Sequence, residues 1–386
     1  MSALPALAVC AVDFGWGGAG KLSAILEAVE SRGPGFRLVV LGSTLGRRIL
    51  AGLEVEAWYE EWPRDRDQLR ALLDRHGVVA GLVVLDPEAA EALQAVDCPT
   101  VYVDSLPYLW TEADAVPHGV TAYCAQKCPV LPRPAWRPLS RIARLHWVDP
   151  IVKRVSERIR DPAMAVINLG GLHSSTNPDG NPAYLRLVLG PTLRALARSG
   201  ITRTHICGNV GPEDLSGLTD ELTIIDSVGP RTHEAFLTLT AGAGLLVTSP
   251  GLTTLLEAQS AGTPTVCLPP QNLSQIFNSD RFVYTVDRRA RVTWSPAVLD
   301  RDTVELARLN GEEAALEVID AALNAADPDR LAATLETDVS AAVAYIRSAS
   351  AGGRQDAADE GSGQVAEILE NVVHETMTQR LSTGVL

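Results

Sequence analysis

The sequence lacks an excess of basic residues, a long apolar run and a metal-like grouping of cysteines. Its 386 residues hold 33 Lys and Arg against 47 Asp and Glu, a formal net charge of −14, which argues against a nucleic-acid backbone or an anionic membrane as a surface-wide partner. No apolar run approaches the roughly 20 residues that span a bilayer. The first residues carry no basic flank before Asp13, so we do not interpret them as a signal peptide. We therefore expect a cytoplasmic protein with no nucleic-acid or membrane partner, although an anionic small ligand stays compatible with this charge.

The cysteines are scattered along the chain, and several lie inside apolar runs: Cys10, Cys98, Cys124, Cys128, Cys207 and Cys267. This distribution predicts reduced, buried thiols rather than disulfides. Cys124 and Cys128 could act together as metal ligands, but no second pair follows at zinc-like spacing. We expect no metal site and no cofactor.

Strands alternate with helices in two separate blocks, which predicts two doubly wound α/β domains in tandem with a cleft between them. A composition of 46% hydrophobic and 21% charged residues indicates a globular chain, and its length favours about two domains. The predicted domains are 1–150 and 151–350, followed by 351–386 as a flexible loop and a closing helix. The strands are expected at 7–12, 37–41, 81–85, 100–103, 165–168, 204–207, 222–225, 244–248 and 265–268.

Two stretches interrupt this alternation: an aperiodic, aromatic-rich loop at 108–137 and a linker with a charged helix at 146–161. A short helix is also expected near 45–50.

The stretch 249–278, SPGLTTLLEAQSAGTPTVCLPPQNLSQIFN, organises the second block. It follows an apolar strand, breaks at Pro250 and Gly251, and then shows leucines at helical spacing until Gly262. A helix that opens directly from a glycine turn presents free backbone N–H groups and the positive end of its dipole. The pattern therefore predicts an anion site at this turn.

A second glycine-rich turn, Gly15 to Lys21, matches the phosphate-loop pattern GxxxxGK between a strand and a helix. Leu22 stands where such a loop needs a Ser or Thr to hold magnesium, although the run LVVLD at 82–86 resembles the acidic strand of an ATPase. Two alternatives stay open here: a P-loop NTPase, and glycines that only permit close packing of helix on strand.

The second half resembles the nucleotide-sugar domain of GT-B glycosyltransferases, especially the peptidoglycan GlcNAc transferase and its UDP-sugar-using relatives. The family's SGALT-like turn and helical glutamate are matched by Ser249, Gly251, Leu252, Thr253, Thr254 and Glu257, and its later Pro, polar pair and Gln-x-x-Asn by Pro270, Gln271, Asn272, Gln275 and Asn278. The resemblance implies that the turn faces a diphosphate and that Glu257 accepts hydrogen bonds from ribose hydroxyls. It also implies that Gln271 and Asn272 reach the donor sugar.

Further positions enter through the same resemblance. Gly170, Gly171 and His173 stand at the family's first glycine turn of this domain, Gly208 at the end of the next strand, and Val228 where relatives pair the uracil edge. Gly17 and Gly18 correspond to a glycine loop of the N-terminal domain that approaches the diphosphate from the opposite side. Lys21 replaces the histidine that usually follows those glycines. Lys21, Arg231 and His173 are the cations expected to neutralise the leaving diphosphate without a metal.

An inverting transfer also needs a base near the acceptor. Asp13, at the carboxyl end of the first strand, is the favoured candidate, and His118 and Asp104 compete with it. Lys21 completes the predicted catalytic group.

The run VDFGWGGAGKLSAI followed by LVVLGSTLGR is similar to cytosylglucuronate synthases of nucleoside-antibiotic pathways. This narrower resemblance implies transfer of glucuronate from UDP-glucuronate to N1 of cytosine or a modified cytosine. The base would stack on Phe14, Trp16, Tyr108 or Trp110, and Lys21 or Arg231 would meet the glucuronate carboxylate. The expected partners are a UDP-sugar and a small-molecule acceptor, with a homodimer left open. The alternative functions are a UDP-GlcNAc 2-epimerase, the P-loop hydrolase, and a non-catalytic nucleotide-sugar-binding subunit.

Overall fold

The computed structural model describes residues 4–33, 35–153, 158–173, 181–216, 218, 223–281, 286–349 and 360–383. The chain divides into two compact units. An N-terminal unit comprises Met1–Lys153 together with Ala358–Leu386, and a C-terminal unit comprises Arg154–Ala357. Within the described ranges, every helix is too short or too polar to cross a bilayer. The loop predicted at the start of 351–386 falls at 350–359, outside the described residues.

The N-terminal unit is built on a seven-stranded sheet in the order β3-β2-β1-β4-β5-β6-β7, with every neighbouring pair parallel. Its strands are β1 Ala6–Ala11, β2 Arg37–Leu41, β3 Val55–Tyr59, β4 Val78–Val84, β5 Thr100–Asp104, β6 Ala122–Gln126 and β7 Leu145–Val148. Its helices are α1 Gly17–Arg32, α2 Arg66–His76, α3 Pro87–Ala95, α4 Arg133–Ser140 and, from the far end of the chain, α12 Gly361–Thr383.

The central strands of this sheet are buried along their whole length, because helices cover both faces as a parallel sheet requires. The helix α12 packs beside α1 against the sheet and adds five side chains to the core, Val365, Ala366, Leu369, Val372 and Val373. The last helix of the chain therefore completes the core of the first unit.

Three expectations for this unit were wrong. Residues 44–49 form consecutive turns instead of a helix, because Ser43 takes a left-handed φ of +57° and the carboxylate of Asp13 caps the amides of Thr44 and Leu45. The aperiodic loop at 108–137 contains the fully buried strand β6. The linker at 146–161 begins inside β7, and the charged helix expected there reaches residues 154–157, outside the described part of the chain.

The C-terminal unit has a five-stranded parallel sheet in the order β10-β9-β8-β11-β12. Its strands are β8 Asp161–Asn168, β9 Arg203–Cys207, β10 Ile225–Val228, β11 Ala243–Thr248 and β12 Thr265–Cys267. Its helices are α5 Pro182–Arg198, α6 His233–Gly242, α7 Leu252–Ala261, α8 Leu273–Arg281, α9 Arg301–Arg308, α10 Glu312–Ala325 and α11 Pro328–Ser348. The prediction of two doubly wound α/β units is confirmed, although the strand expected at 222–225 begins only at Ile225.

Candidate functional site

The strand order of the C-terminal sheet places a crevice between β8 and β11. The chain runs outward from β8 through β9 to β10 and then returns to lay β11 and β12 on the other side of β8. Loops that leave neighbouring strands in opposite directions diverge at such a switch point, and ligands of open α/β sheets bind there. The two loops concerned are the turn after β8, at Leu169 to Gly171, and the turn after β11, at Ser249 to Gly251.

The turn after β11 is held by the backbone of its neighbours. Pro250 has no N–H to donate, the amide of Gly251 donates to the carbonyl of Ser249 at 2.7 Å, and Asn278 Nδ2 donates to the carbonyl of Pro250 at 2.9 Å. Gly251 is the N-cap of α7 and supplies no side-chain cap, and the first turn of α7 carries no acidic residue. The positive end of this helix therefore lies at the crevice without a side-chain cap of its own, as the sequence predicts.

The carbonyl of Gly170 brings three predicted site elements together. It accepts hydrogen bonds from Ser249 Oγ at 3.0 Å, Gln271 Nε2 at 3.1 Å and Gln275 Nε2 at 3.1 Å. All three donor side chains are buried, and Gln271 Oε1 is buried without a hydrogen-bond partner. Three donors on one carbonyl exceed its two lone pairs, so this cluster holds donor capacity beyond what the protein itself uses.

Gly171 is a glycine for two physical reasons. Its φ of +90° disfavours a side chain, and a Cβ there would lie 3.1 Å from both Asn272 Nδ2 and Gln275 Nε2. The amide side chains that follow β12 therefore pack directly on the glycine turn after β8.

Replacing Gly171 by alanine is expected to lower the free energy of unfolding by roughly 1–3 kcal/mol. An alanine would be strained at this positive φ, and two buried side-chain amides would have to shift. The measurement is urea denaturation followed by circular dichroism. Gly170→Ala is the matched control, since its Cβ would meet Asn168 only at 3.6 Å and its φ is not positive. Equal stabilities of the two variants would contradict this account.

Two aromatic side chains hold the backbone that precedes Gln271. Tyr184 Oη donates to the carbonyl of Pro269 at 2.7 Å and Trp294 Nε1 donates to that of Pro270 at 2.6 Å, and the two rings pack edge to face. Asn272 Oδ1 then accepts from the amide of Gln275 at 3.0 Å, as an N-cap of α8 would. The polar pair is therefore anchored on rigid elements.

Glu257 lies in the second turn of α7 with only 3% of its surface exposed. Its Oε1 lies 2.6 Å from Nε2 of His233, the first residue of α6. Sequence reasoning missed His233, because the contact depends on the packing of α6 against α7. The only local signal is a histidine directly after Thr232, the N-cap of that helix.

Asn168 couples the two loops through its side chain. Its Nδ2 donates to Thr248 Oγ1 and to Thr254 Oγ1, each at 3.1 Å. The end of β8 is thereby joined both to β11 and to the first turn of α7. Thr253, the neighbour of Thr254, is 9% exposed, and Leu252 opens the helix.

The remaining predicted residues of this unit lie around the glycine turns without joining the Gly170 cluster. His173 Nε2 lies 3.2 Å from the carbonyl of Asn209. Gly208 has a φ of +145°, and a Cβ there would lie 3.1 Å from the carbonyl of Leu169. Val228 is the last residue of the edge strand β10, and Arg231 donates to Ser227 Oγ at 2.6 Å.

The N-terminal sheet has its own switch point between β1 and β4. Asp13 follows β1 there and is partly exposed, with both carboxylate oxygens accepting backbone amides, from Leu45 at 2.9 Å and from Thr44 at 3.1 Å. Gly17 and Gly18 lie in the first turn of α1, where Gly18 is buried against β1 and a Cβ would lie 3.3 Å from Val12 Cγ1.

Lys21 points into the N-terminal unit and is 2% exposed. Its ammonium donates to Gln126 Oε1 at 2.9 Å and to the carbonyl of Ile151 at 3.0 Å, and the amide of Ile151 also donates to Gln126 Oε1. The helix begins at Gly17, four residues before the lysine, whereas in a phosphate loop these residues form a non-helical turn whose backbone N–H groups cradle the phosphates. The P-loop alternative is therefore contradicted. The expectation that Lys21 binds an anion is also wrong, because its ammonium is buried and donates to oxygen acceptors of the protein itself.

The aromatic stretch is buried and surrounds an acid. Asp104 is fully buried, with Oδ2 accepting from Trp110 Nε1 at 2.6 Å and from Tyr123 Oη at 2.7 Å, and Oδ1 accepting from the amide of Leu106. Tyr108 is 1% and Trp110 7% exposed, which contradicts their predicted role in stacking on a ligand, whereas Phe14 and Trp16 are partly exposed. His118 Nε2 lies 3.1 Å from the carbonyl of Pro138.

Burial raises the pKa of Asp104 to about 6, although its three hydrogen bonds oppose that shift. An aspartate of the unfolded chain titrates near 3.9, so between about pH 4 and pH 6 the folded protein holds a proton that the unfolded chain has lost. We expect this contribution to stability to be present below pH 4 and to be lost as the pH rises through 6, by up to about 3 kcal/mol.

Asp104→Asn should remove this dependence. Urea denaturation at pH 4.5 and 6.5 should show the wild type losing stability relative to the variant as the pH rises. The same change at the exposed Asp67 is the control. A difference between wild type and Asp104→Asn that is constant across these pH values would contradict the assignment.

Five of the six cysteines are buried free thiols, as predicted, and Cys128 is partly exposed. Burial raises the pKa of Cys98, Cys124 and Cys267 to about 12, so these side chains stay protonated at neutral pH. Across the described residues, His, Cys, Asp and Glu form no group of three or more that could hold a metal ion.

Comparison with known proteins gave one family and a set of similar structures. The profile of the family described as CGA synthase-related protein matches residues 45–333. A search of curated proteins found no match.

Three solved structures illustrate the likeness in fold. The complex between a UDP-glucosyltransferase from Polygonum tinctorium capable of glucosylating indoxyl and 3,4-dichloroaniline has a TM-score of 0.54 at 12% identity, covering 97% of this chain and 99% of that chain. The glycotransferase of kitacinnamycin has a TM-score of 0.52 at 17% identity, covering 96% and 100%. Arabidopsis thaliana UGT89C1 complexed with UDP has a TM-score of 0.52 at 14% identity, covering 97% and 99%. At these identities the likeness establishes the fold, which is GT-B.

Proposed function

The chain belongs to the CGA synthase-related family, and from that premise we propose that it is an inverting glycosyltransferase that moves a sugar from a UDP-sugar to a small polar acceptor. The proposed donor is UDP-glucuronate, and the proposed nucleophile is N1 of cytosine or of a modified cytosine. The C-terminal unit binds the donor and the N-terminal unit binds the acceptor.

The observation that carries the donor assignment is the buried carboxylate of Glu257 on the helix that opens at the switch-point glycine turn. Adjacent ribose hydroxyls are natural donors to a fixed carboxylate. The N-terminus of α7 supplies backbone N–H groups and a positive dipole end for the diphosphate. A nucleoside diphosphate meets both requirements, because it carries ribose hydroxyls and a diphosphate in one molecule.

The donor-rich cluster at Gly170 supports a hydroxylated or carboxylated sugar. Gln271 Oε1 is buried without a partner, and Gln271 and Gln275 share the Gly170 carbonyl with Ser249. A bound sugar hydroxyl can donate to Gln271 Oε1, and amide N–H groups released from the shared carbonyl can reach sugar oxygens. Buried amides hold this geometry without introducing a charge.

The proposed reaction assigns one role to each of these groups. N1 of the acceptor attacks the anomeric carbon of the sugar, the bond from that carbon to the β-phosphate oxygen breaks, and UDP leaves with the electron pair. The N1 proton passes to the base, for which we propose Asp13, since it lies partly exposed at the β1–β4 switch point whereas Asp104 is fully buried. The dipole of α7 and its backbone N–H groups stabilise the charge on the departing diphosphate, so the proposed reaction requires no metal.

The proposal of glucuronate and cytosine rests on the resemblance to cytosylglucuronate synthases at 12–25 and 38–47. The family match covers 45–333 and supports membership of the CGA synthase-related family. Phe14 and Trp16, both partly exposed beside Asp13, are the proposed stacking surface for the base.

A thermal-shift panel of UDP, UDP-glucuronate, UDP-GlcNAc, dTDP-glucose, ATP and GTP tests the donor, because a ligand bound only by the folded state raises the melting temperature. We expect the largest shifts with UDP and UDP-glucuronate, followed by formation of cytosylglucuronate when cytosine is added. Turnover of UDP-GlcNAc without an acceptor would instead support the 2-epimerase. Binding of UDP with no turnover for any acceptor would support a non-catalytic binding subunit.

A further inference from the structure

His233 and Glu257 form a buried pair whose geometry shows which imidazole nitrogen donates a hydrogen bond. The two side chains are 6% and 3% exposed, and His233 Nε2 lies 2.6 Å from Glu257 Oε1. A carboxylate can only accept, so Nε2 must carry the proton. Nδ1 on the other side of the ring is buried without a hydrogen-bond partner.

The bond runs from the Nε2 hydrogen to one oxygen of Glu257, so the imidazole is a fixed donor to that carboxylate. Among the described residues, the other oxygen, Oε2, has no hydrogen-bond partner.

We propose that His233 is a positioning residue that locks the Glu257 side chain and leaves Oε2 directed at the ribose hydroxyls of the nucleotide. This inference rests on the proposed donor function. A glutamate has three side-chain torsions, and restricting them before the ligand arrives reduces the entropy lost on binding. His233 itself is held at the start of α6, where Thr232 Oγ1 caps the helix by accepting from the amide of Ala235.

Three substitutions separate positioning from simple packing. His233→Gln can place its amide N–H near the position of Nε2 and keep the bond to Glu257. His233→Asn places its amide near Nδ1, too short to reach Glu257, and stays polar. His233→Leu keeps much of the volume and removes both nitrogens.

The experiment is calorimetric titration of each variant with UDP, 2′-deoxy-UDP and 3′-deoxy-UDP. We expect His233→Asn and His233→Leu to bind UDP roughly tenfold more weakly than the wild type, and His233→Gln to bind it within about threefold. The loss should shrink for the deoxynucleotide that lacks the hydroxyl bound by Glu257. In a Glu257→Ala background, His233→Asn should cause no further loss, since the two residues act as one unit.

Equal weakening for UDP and for both deoxynucleotides would overturn the inference, and so would UDP affinity in His233→Asn equal to that of the wild type. Thermal melting without ligand identifies variants that lose their fold, and His233→Asn decides the question if His233→Leu does not fold. A wild-type protein that binds no UDP would overturn the proposed function together with this inference. Normal UDP binding by the wild type and by every His233 variant would overturn the inference alone.

Discussion

Replacing Glu257 by alanine is expected to weaken UDP binding and to lower kcat/KM for UDP-glucuronate and cytosine by about 10²–10⁴-fold, because two hydrogen bonds to a charged group contribute roughly 1.5–3 kcal/mol each. The carboxylate is buried, and His233 Nε2 lies 2.6 Å from its Oε1. Isothermal titration with UDP and initial-rate kinetics are the measurements.

The control for this prediction is Glu234→Ala. Glu234 lies in the first turn of α6 directly after His233, but it is exposed, so its replacement makes the same change in net charge without touching the buried pair. Glu257→Gln is the second variant, since it preserves the volume and removes the charge. Undiminished UDP affinity in Glu257→Ala would contradict both the ribose assignment and the placement of the donor in this unit.

Replacing Lys21 by alanine is expected to lower the free energy of unfolding of the N-terminal unit by roughly 3–5 kcal/mol. The substitution leaves a cavity under α1 and removes the donor shared by Gln126 Oε1 and the carbonyl of Ile151. Through Lys21, α1 is tied to the end of β6 and to the segment after β7. Chemical denaturation followed by circular dichroism measures the effect.

Lys127→Ala is the matched control for Lys21. Lys127 carries the same charge but is 56% exposed and pairs with Asp149 at the surface, where an ion pair contributes about 0–1 kcal/mol. In Lys21→Ala we also expect UDP affinity to stay close to that of the wild type at temperatures where the variant is folded. A normal melting temperature together with lost nucleotide binding would restore the anion-binding role that the sequence suggests.

The strand-turn-helix at 243–261 could be predicted from sequence because its determinants are local. Pro250 lacks an N–H, Gly251 opens the helix, and Gly262 ends it with a left-handed φ of +66°. The convergence of Ser249, Gly170 and Gln271 was predictable for a different reason, since parallel strands bring their carboxyl ends to one edge of the sheet.

Other features depend on tertiary packing and gave no local signal. The strand β6, Ala-Tyr-Cys-Ala-Gln, lacks a run of β-branched residues, and it is a strand because it lies between β5 and β7. The same holds for Lys21, whose partners are more than 100 residues away, and for the pairing of His233 with Glu257. Tyr108 and Trp110 were predicted to stack on a ligand, but both are buried, and Trp110 Nε1 donates to Asp104 instead.

The helix α12 has a consequence for how this protein is made. It contributes to the core of the N-terminal unit, yet it is translated about 210 residues after β7. A ribosome adds about 5–20 residues per second, so α12 is made roughly 10–40 s after the rest of this unit. During that interval the apolar face that later receives Val365 and Leu369 has no native cover, whereas the C-terminal unit is contiguous and can fold as it emerges. The second unit can therefore be complete before the first, whose core lacks α12 until the final helix has been made.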